Sequence, residues 1–188
     1  MNTLKQTLAG VQAEIHDCLD AVSEQACEQA MRDILSAEKI VVAAAGRSAA
    51  AMRAAVIRLR HLGLDAYFVG EASTPPVGPG DLLIVGSGSG RTQSVLAQAE
   101  KAKQAGAGLL LFTIDPASPL AELADTVVVI PAPSPKVEGE ATSRTSIQPM
   151  GSLFEQCLLV LLDTLVILLM QKLDMSSNEM FKRHANLE

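Results

Sequence analysis

Leu82-Leu83-Ile84-Val85-Gly86-Ser87-Gly88-Ser89-Gly90-Arg91-Thr92 is the stretch from which the rest of the chain can be read. Four consecutive aliphatic residues without polar alternation have the pattern of a strand covered on both faces. A turn of glycines and hydroxyls follows, and helical spacing resumes from Thr92 to about Ala105. The same unit lies upstream. Lys39-Ile40-Val41-Val42-Ala43-Ala44 reads as a buried strand, Gly46-Arg47-Ser48 as its exit loop, and Ala49–Leu62 as a helix that Gly63 ends in a left-handed conformation. A strand at Ala66–Val69 and a Pro/Gly-rich connection, Thr74 to Gly80, lead back to Leu82. Downstream come a strand at Leu109–Thr113, a short helix near Leu120 and a strand at Thr126–Ile130. This alternation predicts an α/β fold, doubly wound, with a mainly parallel five-stranded sheet and helices on both faces.

Around this core, residues 1–36 read as two helices, with Leu4, Leu8, Val11, Ile15 and Leu19 at spacings of three and four and Ser23 as an N-cap. No linker divides the chain, so 1–188 is expected to be one domain: helices over 1–36, an α/β core over 37–173 and a tail over 174–188 that completes the site or an interface. Pro131–Pro149 reads as a long loop of the kind that often carries function. A strongly apolar helix, Gly151 to about Leu173, follows. Its segment Leu158–Met170 is too short to span a bilayer and carries Asp163, so burial between protein surfaces is expected.

With 188 residues, 48% hydrophobic and 19% charged, the chain is long and apolar enough for a substantial core and for an oligomer interface. A net charge of −6 and 3% aromatics argue against nucleic acid and anionic membranes as partners. Cys18, Cys27 and Cys157 are scattered, which suits reduced thiols and a cytoplasmic location better than disulfides or a zinc ribbon. No His, Cys or carboxylate grouping has metal-ligand spacing, and neither a metal nor a cofactor is expected.

Ligands of open parallel sheets bind beyond the C-terminal strand ends. In Gly86–Thr92, Gly88 and its neighbouring glycines let the backbone close on an anion. Ser87, Ser89 and Thr92 offer hydroxyls, and the next helix points its positive end at the same place. Neither a Walker A loop nor a Gly-x-Gly-x-x-Gly dinucleotide spacing is present, which favours a phosphomonoester. The other reading is a flexible turn with Thr92 as N-cap. Ser48 is either the cap of its helix or a further phosphate donor, and Arg47 either solvated or a clamp on a phosphate or sugar oxygen. Glu155 is either a partly desolvated general base or the Glu of a Ser152-x-x-Glu155 capping box. His16 lies on a polar face, His61 near a helix end, and His184 in the charged tail. Gly86-Ser87-Gly88-Ser89-Gly90 contains the Gly-x-Ser-x-Gly string, but its doubled serines fit anion binding better than a hydrolase nucleophile elbow.

These residues resemble the sugar isomerase (SIS) domain, a flavodoxin- or Rossmann-like fold, and within it the 6-phospho-3-hexuloisomerases of the ribulose monophosphate pathway. The resemblance covers nearly the whole chain. It rests on Ala45-Gly46-Arg47-Ser48, Arg60-His61-Leu62-Gly63-Leu64, Gly80-Asp81-Leu82-Leu83-Ile84 and Ser87-Gly88-Ser89-Gly90. The most specific strings are Thr145-Ser146-Ile147-Gln148-Pro149-Met150-Gly151-Ser152-Leu153-Phe154-Glu155 and Arg183-His184-Ala185-Asn186-Leu187-Glu188. The resemblance implies interconversion of D-arabino-3-hexulose 6-phosphate and D-fructose 6-phosphate through an enediol, with no cofactor. It assigns phosphate binding to Ser48, Ser87, Ser89 and Thr92 and the base to Glu155. His184, or else His61, would assist ring opening, often from a neighbouring subunit, in a homotetramer. Two positions depart from the pattern: Arg91 stands where an acid is usual and Ala49 where a glycine is. An isomerase of another phosphosugar and a non-catalytic sugar-phosphate sensor are the competing readings.

Overall fold

The computed structural model describes residues 2–135 and 145–187. In chain order they form α1 (Leu4–Asp20), α2 (Glu24–Ser36), β1 (Ile40–Ala44), α3 (Gly46–His61), β2 (Ala66–Phe68), β3 (Leu82–Gly86), α4 (Gln93–Gln104), β4 (Gly108–Thr113), α5 (Pro119–Leu123), β5 (Thr126–Val129), α6 (Ser152–Lys172) and α7 (Ser177–Phe181). The five strands are all parallel in the order β2-β1-β3-β4-β5. That order is the flavodoxin-like one, in which the chain reverses direction across the sheet between β1 and β3.

Strand side chains alternate between the two faces and so feed two cores. Ile40, Val42, Ile84, Leu110 and Phe112 face the layer of α1, α2, α3 and α6. Val41, Ala43, Leu83, Val85, Leu109 and Leu111 face α4 and α5 through Val95, Ala99, Ala102 and Leu120. Burial on both faces is why β1, β3 and β4 read as unbroken aliphatic runs. Ser23 caps α2, its hydroxyl accepting from Ala26 N at 3.3 Å. Gly63 adopts φ +85°, as expected of a helix terminator.

One expectation changes. α6 has 21 residues and is long enough to span a bilayer, so the argument from length fails. The argument from packing stands in its place: nine residues of α6, from Leu153 to Leu169, are buried against α3, the sheet and the N-terminal helices, and a span would strip that core. Of the predicted Pro131–Pro149 loop, residues 136–144 lie outside the described residues.

Candidate functional site

Register brings the two exit loops together. Ala44 pairs with Gly86, so β1 and β3 end level, and the turns 45–48 and 86–92 open side by side at the strand-order reversal. α6 arrives over the same end of the sheet, packed along α3. Between them lies a cleft of about 290 Å³. Arg47, Ser48, Ser87, Gly88, Ser89, Thr92 and Glu155 all line it, with Ile114, Ser134, Pro135, Met150 and Phe154. The N-termini of α3, α4 and α6 all start beside it, so three positive helix ends favour an anion there.

The glycine loop is held rigidly. Ser87 N donates to Phe112 O and Ile114 N to Gly88 O, which ties the turn to the end of β4. Gly90 adopts φ +61°, and a Cβ there would lie 2.0 Å from Ser118 Oγ. A Cβ on Gly88 would press on Phe154 and Ile114 at 3.2–3.3 Å, so the backbone lies close under the cleft floor.

Capping explains none of the three ambiguous residues. α3 starts at Gly46 with Ala45 as N-cap, so Ser48 is the third helical residue. Thr92 does occupy the N-cap position of α4, but its side chain makes no capping bond. α6 is capped at Gly151, one residue earlier than a Ser152–Glu155 box requires, and the box is absent. Glu155 instead meets Arg47, Nε to Oε2 at 2.5 Å. The carboxylate is mostly covered, 18% exposed, and paired with a cation. Arg91 is directed elsewhere: its Nη2 donates to Asp115 Oδ2 at 2.9 Å, and it does not line the cleft.

The histidines lie at the other end of α3. His61 ends the helix whose first turn holds Ser48, about 20 Å away at 1.5 Å per residue. The tail folds back onto it, His184 coming within 5.3 Å ring to ring and Arg183 Nη1 donating to His61 O at 3.3 Å. Burial, the Arg58 guanidinium and His184 hold His61 below the usual imidazole range. Neither histidine lines the cleft. No group of three or more His, Cys, Asp or Glu able to hold a metal exists among the described residues. Sequence reasoning passed over Met150, Phe154 and Ile114 as cleft walls; Met150, at φ +54° and 73% exposed, carried no local signal.

A dinucleotide would need a longer crevice and a different glycine spacing, so cleft and loop together define a binder of small phosphate esters on a flavodoxin-like sheet. The chain belongs to the SIS domain family, whose profile matches residues 33–161. It is 41% identical over 181 residues to the 3-hexulose-6-phosphate isomerase of Bacillus subtilis, covering 96% of this chain and 97% of that one. It is also 41% identical over 185 residues to the enzyme of the same name from Mycobacterium gastri, covering 98% and 92%. A Methanococcus jannaschii protein, for which a 3-hexulose-6-phosphate isomerase function has been inferred from its crystal structure, superposes with a TM-score of 0.83. It is 33% identical, covering 97% of this chain and 99% of that one.

Proposed function

We propose that the protein interconverts D-arabino-3-hexulose 6-phosphate and D-fructose 6-phosphate, residues 1–188 acting as one SIS unit without a metal or cofactor. The observation that carries this reading is the meeting of Glu155 and Arg47 over a glycine–serine anion cradle, in a chain 41% identical to isomerases of that name over nearly its full length. The phosphate sits among the hydroxyls of Ser48, Ser87, Ser89 and Thr92 and the backbone of Gly88. Anchoring this remote group holds carbons 2 and 3 against Glu155 and supplies binding energy to the transition state.

Glu155 removes the proton from carbon 3 of open-chain fructose 6-phosphate, giving a 2,3-enediolate. It returns a proton to carbon 2 while the hydroxyl proton passes from O3 to O2, leaving the ketone at carbon 3. Arg47, bound to Glu155 through Nε, offers its remaining N–H groups to the enediolate oxygens. A 3-ketose phosphorylated at carbon 6 lacks the hydroxyl that would close a five-membered ring, so only fructose 6-phosphate must be opened. His184, with His61 beside it, performs that step in the cleft of a neighbouring subunit of a homotetramer, since both lie far from their own cleft. The outward side of α6, with Leu159, Val160, Ile167 and Leu168 exposed, supports such an assembly. The enzyme belongs to the ribulose monophosphate route of the cytoplasm, in formaldehyde assimilation, with neither nucleic acid nor membrane as partner.

The test is conversion of enzymatically generated 3-hexulose 6-phosphate to fructose 6-phosphate. Turnover establishes the reading. Thermal stabilisation by fructose 6-phosphate without turnover overturns it in favour of a sensor or an isomerase of another phosphosugar.

A further inference from the structure

Glu14, in the middle of α1, is remote in sequence from every residue of the cleft, yet its carboxylate gathers three donors from one turn just before α6. Ser146 Oγ donates at 2.7 Å, Ile147 N at 2.7 Å and Gln148 Nε2 at 3.0 Å. Within the turn, Gln148 N donates to Ser146 Oγ at 3.0 Å. Gln148 is buried, and its Oε1 accepts from Gln156 Nε2 at 2.6 Å, on the residue that follows Glu155. The chain then passes through Pro149, whose carbonyl accepts from Ser152 N, and through Met150 into α6.

Met150 is the reason such a clamp matters. A bulky side chain at φ +54° is strained, and such conformations persist only where the surroundings over-determine them. Met150 also walls the cleft, and Glu155 projects from the helix one turn further on. A slack turn would let both shift together. The Glu14 carboxyl itself is disfavoured as an anion by burial. The hydrogen bonds from Ile147, Gln148 and Ser146 outweigh this and hold it below the usual carboxylate range, so it stays an acceptor throughout neutral pH.

We propose that Glu14 is a positioning residue of the site: by clamping the 146–148 turn it fixes Met150 at the cleft wall and sets where Glu155 stands against the substrate. The inference rests on the isomerase reading above. A purely structural staple between α1 and the turn would change how much protein is folded. A positioning residue changes how each folded molecule works.

The experiment compares wild type with Glu14→Gln, which keeps size but replaces one acceptor oxygen by a donor that faces other donors. On the full chain, kcat and KM for 3-hexulose 6-phosphate are measured first. Next comes the partition of deuterium from carbon 3 of fructose 6-phosphate between transfer to carbon 2 and loss to water, and then amide exchange over residues 4–13 and 145–156. The expected result is a kcat lower by about tenfold or more, since misplacement by an ångström costs up to ~10²-fold, with KM within about twofold. More deuterium is lost to water, and exchange accelerates over 150–155 but not over 4–13. An unchanged deuterium partition and unchanged exchange, with kcat reduced only as far as the folded fraction, would overturn the proposal. Ser146→Ala removes one of the three donors and shifts every readout the same way by less; it decides the matter if Glu14→Gln does not fold. If wild type shows no turnover, the isomerase reading falls, and amide exchange alone then decides whether Glu14 holds the turn.

Discussion

Arg47 Nε and Glu155 Oε2 stand 2.5 Å apart across the cleft, joining residues 108 positions apart in sequence and the first turns of α3 and α6. The pair is asymmetric: Glu155 is mostly covered, whereas Arg47 is two-thirds exposed. A guanidinium that bonds through Nε still has its outer N–H groups to give. The carboxylate is thus oriented from one side while the cation remains open to a ligand. That division suits a base and an electrophile working on the same enediolate.

If Glu155 is the base, as proposed, removing its carboxylate while keeping its shape should remove the reaction. Glu155→Gln is expected to lower kcat by about 10²–10⁴-fold, the usual worth of a general base. Fructose 6-phosphate should still raise its melting temperature, because the phosphate cradle is intact. Arg47→Lys keeps the charge but loses the fork, and a fall in kcat/KM of roughly tenfold or more is expected. Steady-state kinetics on the two variants checks both, and wild-type kcat in Glu155→Gln would remove Glu155 from the mechanism.

If the loop hydroxyls hold the phosphate, as proposed, their loss should be read in binding. A hydrogen bond to a charged group contributes about 1.5–3 kcal/mol, so Ser87→Ala and Ser89→Ala should each raise KM roughly ten- to a hundredfold. Some loss of kcat is expected as well, because remote binding energy supports the transition state. Titration calorimetry with fructose 6-phosphate separates the two effects; unaltered affinity in both variants would move the phosphate elsewhere.

Gly90 is required for steric reasons. A Cβ at φ +61° would sit 2.0 Å from Ser118 Oγ and 2.4 Å from Ser118 Cβ, and Ser118 is completely buried as the cap of α5. Gly90→Ala is expected to cost several kcal/mol, on the order of the largest single-residue effects. Denaturant unfolding measures it. Gly46 is the contrast: it too has positive φ, +59°, but nothing lies within 4 Å of its Cβ position, so Gly46→Ala should cost about 1–2 kcal/mol from backbone strain alone.

The sheet and its two exit loops were legible because local chemistry and fold agree there. Buried parallel strands must be aliphatic, and the glycines and hydroxyls of Gly86–Thr92 mark a turn between strand and helix whatever surrounds it. Glu155 was legible only as a choice, since Ser152-x-x-Glu155 spells a capping box and a one-residue shift in the start of α6 decides against it. No periodicity announces that Arg47 reaches Glu155, or that Glu14 reaches the 146–148 turn; those contacts exist only once α1, α3 and α6 share one face of the sheet. His61 and His184 show the opposite case. They are conspicuous residues in the sequence, and the fold pairs them with each other at the far end of α3.

That pairing has a pH signature. His61 is held below its ordinary value by burial, Arg58 and His184, so the folded state binds its proton less readily than the unfolded chain does. As pH falls through the unfolded value near 6.5, the unfolded state takes up the proton first and stability declines. Glu14 and Asp81 are shifted downward, so their contributions are complete above the ordinary carboxylate range and are lost only in stronger acid. Between pH 7.5 and 5.5 the slope due to His61 should therefore be visible without theirs, and His61→Gln should flatten it. Urea unfolding across that range is the measurement; an equal slope in wild type and variant would contradict the assignment.

The exposed side of α6 leads to the last expectation. Leu159, Val160, Ile167 and Leu168 recur on the helix face opposite Leu158, Leu162, Leu165 and Leu169, so the helix is apolar almost all round while only half of it meets its own core. Leaving such a face in water forgoes about 1.5–3 kcal/mol for each large aliphatic side chain, enough for a few of them to hold subunits together. Asp163 and Thr164 lie on the same exposed side and interrupt the stripe, which a packed interface must accommodate at its edge or by hydrogen bonding. Ile167→Glu places a charge in the centre of the stripe and should shift the protein to smaller species in analytical ultracentrifugation. If the histidines serve a neighbouring cleft, the same variant should lose more turnover on fructose 6-phosphate, which must be ring-opened, than on 3-hexulose 6-phosphate. Equal losses in both directions would separate assembly from ring opening, and a monomeric wild type would remove the shared site altogether.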